Sequence, residues 1–68
     1  MIDARGLSCP EPVIMTMEAL KSHEKEYEIV VDNRTSVENI TRFAEHSGYC
    51  VSVSEHDGEY VLTLNSER

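Results

Sequence analysis

With 68 residues, two cysteines and a formal net charge of −7, the chain is one domain at most; it has neither the basic surface that nucleic acid demands nor the cysteine density of a disulfide scaffold. No apolar run approaches the ~20 residues needed to cross a bilayer, and the opening "MIDARG" lacks the apolar stretch of a secretory signal. Free thiols in a reducing cytoplasm are the expectation, with the acid excess serving solubility or steering toward a basic protein partner.

Residues 1–5 read as a short first strand. Pro10 to about Ser22 reads as a helix. Val13, Ile14, Met17 and Leu20 fall within one ~120° arc of that helix, which predicts that they face the core and that Met15 points away. Tyr27 to Asp32, "YEIVVD", is rich in β-branched residues and reads as a second strand. Thr35 and Glu38 fit a capping box that would open a second helix. Its apolar side is Val37, Ile40, Phe43 and Ala44, and Gly48 is placed to stop it. From Tyr49 onward, "YCVSVSEHDGEYVLTLN" alternates in polarity and carries Asp57-Gly58, the signature of a tight hairpin.

The order is therefore β-α-β-α-β-β. Right-handed crossovers put both helices on one face. The predicted fold class is an α+β two-layer sandwich, a mixed four-stranded sheet whose other face is partly open to water. The first two strands run parallel, so both helices start at the same end of the sheet. Cys9 and the loop from Asp32 to Thr35 are predicted to meet there.

Cys9 precedes Pro10-Glu11-Pro12. The residue before a proline avoids helical backbone, which suits an N-cap; Cys9 is expected in that role, with Pro10 at the first helical position and Pro12 still in the first turn. A thiol there meets the positive end of the helix dipole, which favours the thiolate, while the Glu11 carboxylate opposes it. The N–H groups of Glu11 and Val13 are the expected nearest donors. A buried, purely structural cysteine needs no such setting.

A general base for Cys9 is not evident. His23 is about 20 Å along the same helix at 1.5 Å per residue. His46 falls at the far end, and His56 returns to the Cys9 end only if the third strand is parallel to the first two. The chain has no Cys-x-x-Cys and no His-x₃-His, so no metal site and no cofactor are expected. Cys50 opens the third strand, at the opposite end from Cys9, too far for a disulfide that needs Cα atoms within about 7 Å. What is left is a single activated thiol without an acid–base dyad. Hydrolases need more than that. Attack on sulfur, and carriage of it as a persulfide, does not.

At these residues the chain resembles a known family. "DARGLSCPEPVIMTMEAL" is similar to the opening of the TusA-like (SirA/YedF) small sulfur carriers. Asp3, Gly6, Cys9, Pro10 and Pro12 fall on the family's D-x-x-G-x-x-C-P-x-P pattern. "VVDNRTSVENITRFAEHSGYCVSV" resembles the second strand, second helix and third strand of the same fold. Asp-Asn after the second strand, in place of Asp-Asp-Pro, resembles the N-terminal domain of the YedF branch more than TusA proper. The resemblance implies a sandwich like the C-terminal domain of initiation factor three. It implies that Cys9 takes up a sulfane sulfur, or selenium, as a persulfide and passes it on; as an enzyme the chain would be a sulfurtransferase. The implied partners are a cysteine desulfurase or rhodanese-like donor and an unidentified acceptor, serving tRNA thiolation or other sulfur trafficking. The YedF branch often carries a DsrE-like domain after this one, so residues 1–68 are expected either as a single domain or as a piece of a two-domain protein.

Around Cys9, Arg34 and Arg5 are candidates to pair with the thiolate or persulfide. Asp32 and Asn33 are candidates for the partner surface, with ordinary turn and cap chemistry the competing role for Asn33. Pro10, Glu11 and Pro12 complete the motif. Two other functions stay open: a non-catalytic module that docks partners through the Cys-Pro-Glu-Pro loop, and a redox-sensing thiol.

Overall fold

The computed structural model describes residues 1–8 and 10–66; Cys9, Glu67 and Arg68 lie outside the described residues. The elements run β1 (Ile2–Asp3), α1 (Glu11–Leu20), β2 (Glu26–Val31), α2 (Arg34–His46), β3 (Tyr49–His56) and β4 (Glu59–Ser66). The sheet order is β1-β2-β4-β3. β1 pairs parallel with β2, and β4 pairs antiparallel with both β2 and β3. β3 therefore runs in the same direction as β1 and β2, which makes the sheet mixed.

Strand alternation decides where the core lies. Ile29, Val31, Leu62 and Leu64 point to one face and are fully buried. Leu20 of α1 and Ile40 and Ala44 of α2 join them in a single cluster, so both helices cover that same face. The other face carries the alternate residues, in rows such as Glu28–Thr63–Ser52 and Glu26–Asn65–Cys50. This is the α+β sandwich that the element order predicts.

The hairpin forms as its sequence dictates. Asp57 (φ 51°) and Gly58 (φ 83°) both take left-handed backbone between the facing residues His56 and Glu59. Two positive φ values in a two-residue loop match the twist of the flanking strands.

The start of α1 differs by one residue from the sequence reading. The Pro10 carbonyl accepts the first helical bond, from the Ile14 N–H at 3.0 Å, so Pro10 is the N-cap and Glu11 the first helical residue. Its buried stripe differs too. Pro12, Thr16 and Leu20 are buried, and Met15 packs on the core, whereas Ile14 and Met17 remain 49% and 45% exposed. Apolar side chains sit on most sides of this helix, so periodicity alone does not single out a face. Thr16 can lie at the centre of the buried stripe because its hydroxyl donates to the Pro12 carbonyl at 2.9 Å.

α2 starts two residues earlier than the capping box would have it. Asn33 is the N-cap, its Oδ1 accepting the Ser36 N–H at 2.8 Å. Thr35 is therefore already inside the first turn. The apolar side is as predicted, with Ile40 and Ala44 buried and Val37 and Phe43 packed against the core. Asn33→Ala is expected to lower stability by about 1 kcal/mol in urea unfolding, the usual worth of such a cap. Thr35→Ala should cost clearly less. An equal cost for Thr35→Ala would reinstate the capping box.

Candidate functional site at the shared end of the sheet

The loop after β1 and the loop after β2 meet at one end of the sheet, because those strands are parallel. The Gly6 N–H donates to Asp32 Oδ2 at 2.8 Å across that end. Gly6 has φ +78°, and a Cβ built there would touch nothing within 4 Å. Glycine is needed for its left-handed backbone, not for space. Asp32 also accepts from the Asn33 amide at 3.1 Å. The Gly6 N–H, followed by the Asn33 amide, holds the Asp32 carboxyl below the usual carboxylate range.

Arg5 is held by two carboxylates. Its Nε and Nη2 donate to the two Asp3 carboxylate oxygens at 3.0 and 2.9 Å, and its Nη1 donates to Glu59 Oε2 at 3.2 Å. Arg5 thus ties β1 to the hairpin turn through Asp3 and Glu59. The Arg5 side chain, and then its backbone N–H, push the Asp3 carboxyl down to about 2. The folded state therefore favours charged Asp3. That stabilisation is fully present above the ordinary value of 3.8 and is lost as pH falls from there toward about 2. In urea unfolding at stepped pH, the stability gap between wild type and Asp3→Asn should close across this window. A gap that stays constant down to its lower edge would contradict the assignment.

The Pro-Glu-Pro segment splits between surface and core. Pro10 and Glu11 are exposed, whereas Pro12 is buried and anchors the helix start. The Glu11 N–H, expected to be a nearby donor for a thiolate, is occupied by the Ser8 carbonyl at 2.9 Å. Arg34 is exposed at the first position of α2, with no ion-pair partner among the described residues. Asn33 serves as the helix cap, the role that competed with a partner surface in the sequence.

His56 does return to this end, because β3 is parallel to β2; it is exposed opposite Glu59. Cys50 lies exposed at the other end, in the row with Asn65 and Glu26. Among the described residues no cluster of His, Cys, Asp or Glu is placed to hold a metal ion, and no helix is long and apolar enough to cross a membrane. Sequence reasoning missed Glu59 as a participant. It reaches Arg5 over 54 residues of chain, and no local pattern signals that contact.

The family model for sulfurtransferase TusA matches residues 1–66. The chain belongs to the TusA family. A Methanocaldococcus jannaschii protein named as a candidate sulfur carrier is 43% identical over 56 residues, covering 79% of this chain and 75% of its own. The crystal structure of a SirA-like protein from Desulfitobacterium hafniense superposes with a TM-score of 0.86 at 35% identity, covering 98% of this chain and 96% of that one. TusA membership and the archaeal relative support a sulfur-carrier role, which works through protein partners. The contacts at the shared end also account for two further residues of the TusA-like opening: Asp3 holds Arg5, and Gly6 makes the tie to Asp32.

Proposed function

We propose that this chain is a sulfur carrier that accepts a sulfane sulfur on Cys9 and relays it to a partner protein. The observation that carries the reading is the Cys-Pro-Glu-Pro motif in a chain of the TusA family, with Pro10 capping α1 and Glu11 and Pro12 in its first turn. Both helix N-termini lie at this end, and their dipoles favour an anionic sulfur over a thiol. Uptake is an exchange at sulfur. The Cys9 thiolate attacks the outer sulfur of a donor's persulfide. A new S–S bond forms as the donor's S–S bond breaks, and the electron pair leaves with the donor thiolate, which takes up a proton. No oxidant or reductant is consumed. Release to the acceptor repeats the same step with Cys9 as leaving group.

A cysteine desulfurase or a rhodanese-like protein fits the donor's role, because each presents a persulfide. Exposed Pro10 and Glu11 offer the approach, and Arg34 supplies a cation for the sulfur anion. Such chemistry belongs in the reducing cytoplasm. Selenium would travel on the same nucleophile. The test is incubation with an active cysteine desulfurase and radiolabelled-sulfur cysteine. Label on this chain that survives non-reducing electrophoresis and is released by dithiothreitol is the expected result. No label, with the desulfurase itself labelled, would overturn carriage from that donor class and favour the docking-module reading. A selenocysteine arm run in parallel separates the two elements.

A further inference from the structure

We infer that Asp32 is a positioning residue for the loop that delivers Cys9, acting through Gly6; this deepens the carrier reading and rests on it. Gly6 stands three residues before Cys9 in the chain. The loop is tethered at several points: Arg5 by its carboxylates, Leu7 against the core, and the Ser8 carbonyl by the Glu11 N–H. Among the described residues, the Gly6 tether is the one that comes from the loop before α2. There the hydrogen bonds form a continuous line. The Ser36 N–H donates to Asn33 Oδ1, the Asn33 amide donates to Asp32 Oδ1, and Asp32 Oδ2 receives the Gly6 N–H. The first turn of α2 thereby fixes the backbone of the neighbouring loop. A hydrogen bond to a charged acceptor is shorter and stronger than a neutral one, which suits a single tether. Both carboxylate oxygens are used, so the side chain has little freedom to swing away.

Cys50 supplies an internal control, since it is exposed at the opposite end of the sheet. The experiment compares iodoacetamide alkylation of Cys9 and of Cys50 in the same molecule at neutral pH, by peptide mass spectrometry. It uses wild type, Asp32→Ala and Asp32→Asn. Alanine removes the acceptor. Asparagine removes the charge but keeps an oxygen for Gly6. The Cys9-to-Cys50 rate ratio should fall about threefold or more in Asp32→Ala and stay within about twofold of wild type in Asp32→Asn, since a displaced loop takes the thiol from the helix N-terminus that favours its reactive thiolate. A general loss of stability would itself draw the ratio toward that of two ordinary thiols, so the rates are compared at a temperature where the thermal midpoints show all three proteins fully folded. Equal shifts in the two variants would assign the effect to charge, and no shift, or a rise in Asp32→Ala, would remove the positioning role. The ratio is read without any sulfur donor. Failure of wild type to load sulfur would sink the carrier reading while leaving this result standing.

Discussion

Serine in place of Cys9 is expected to abolish sulfur loading, and serine in place of Cys50 to leave it near the wild-type level. A serine hydroxyl is not ionised at neutral pH and forms no persulfide, so the loss at Cys9 should be complete. Cys50 is exposed, but it opens β3 beside Asn65 and Glu26, whereas the loops after β1 and β2 meet at the opposite end. A resolving thiol must reach the first one, with Cα atoms within about 7 Å. Cys50, at the other end of the sheet, is therefore expected to have no such role. Loading is measured by label incorporation, and unchanged thermal midpoints would show that both variants fold. Equal loss in the two variants would replace the single-thiol account with a dithiol one.

Leu62→Ala should be the most damaging core substitution. Leu62 is fully buried, in the middle of β4, facing Ile29 on one side and Val53 on the other. Such truncations cost about 2–5 kcal/mol, the lost transfer energy plus the cavity left behind. A domain of this size has a total stability of roughly 3–10 kcal/mol at 0.05–0.15 kcal/mol per residue. The variant should therefore populate unfolded chain near body temperature. Ile14→Ala is the contrast. Helical periodicity places Ile14 in the core, yet it is 49% exposed, and its loss should stay within about 0.5 kcal/mol. Urea unfolding of both variants checks the core together with the orientation of α1. Comparable losses would mean that α1 presents the face its periodicity suggests.

That contrast also shows what the sequence made legible. β3, β4 and their turn could be read because alternation and Asp57-Gly58 are local and agree with one another. The buried face of α2 could be read because Val37, Ile40, Phe43 and Ala44 stand against charged neighbours. α1 has no such contrast: Val13, Ile14, Met15 and Met17 are all apolar, and its true stripe is centred on a threonine whose polarity is hidden by a bond to Pro12. Both helix caps were misplaced by a residue or two, since several neighbouring residue types cap equally well and only the realised hydrogen bond decides. At the site, the cysteine, the prolines and Asp32 were visible as types in a pattern. The partners of Asp32 and Arg5 were not. Gly6 and Asp32 are 26 residues apart, and Arg5 and Glu59 are 54 apart. Only the sheet order brings them together.

The most direct test of the account is intact-mass spectrometry with peptide mapping, after the full chain has been incubated with an active cysteine desulfurase and cysteine. One added sulfur atom, located on the peptide containing Cys9 and removed by a reductant, is the predicted result. Sulfur found on Cys50 instead, or an unmodified chain beside a desulfurase that carries its own persulfide, would contradict it.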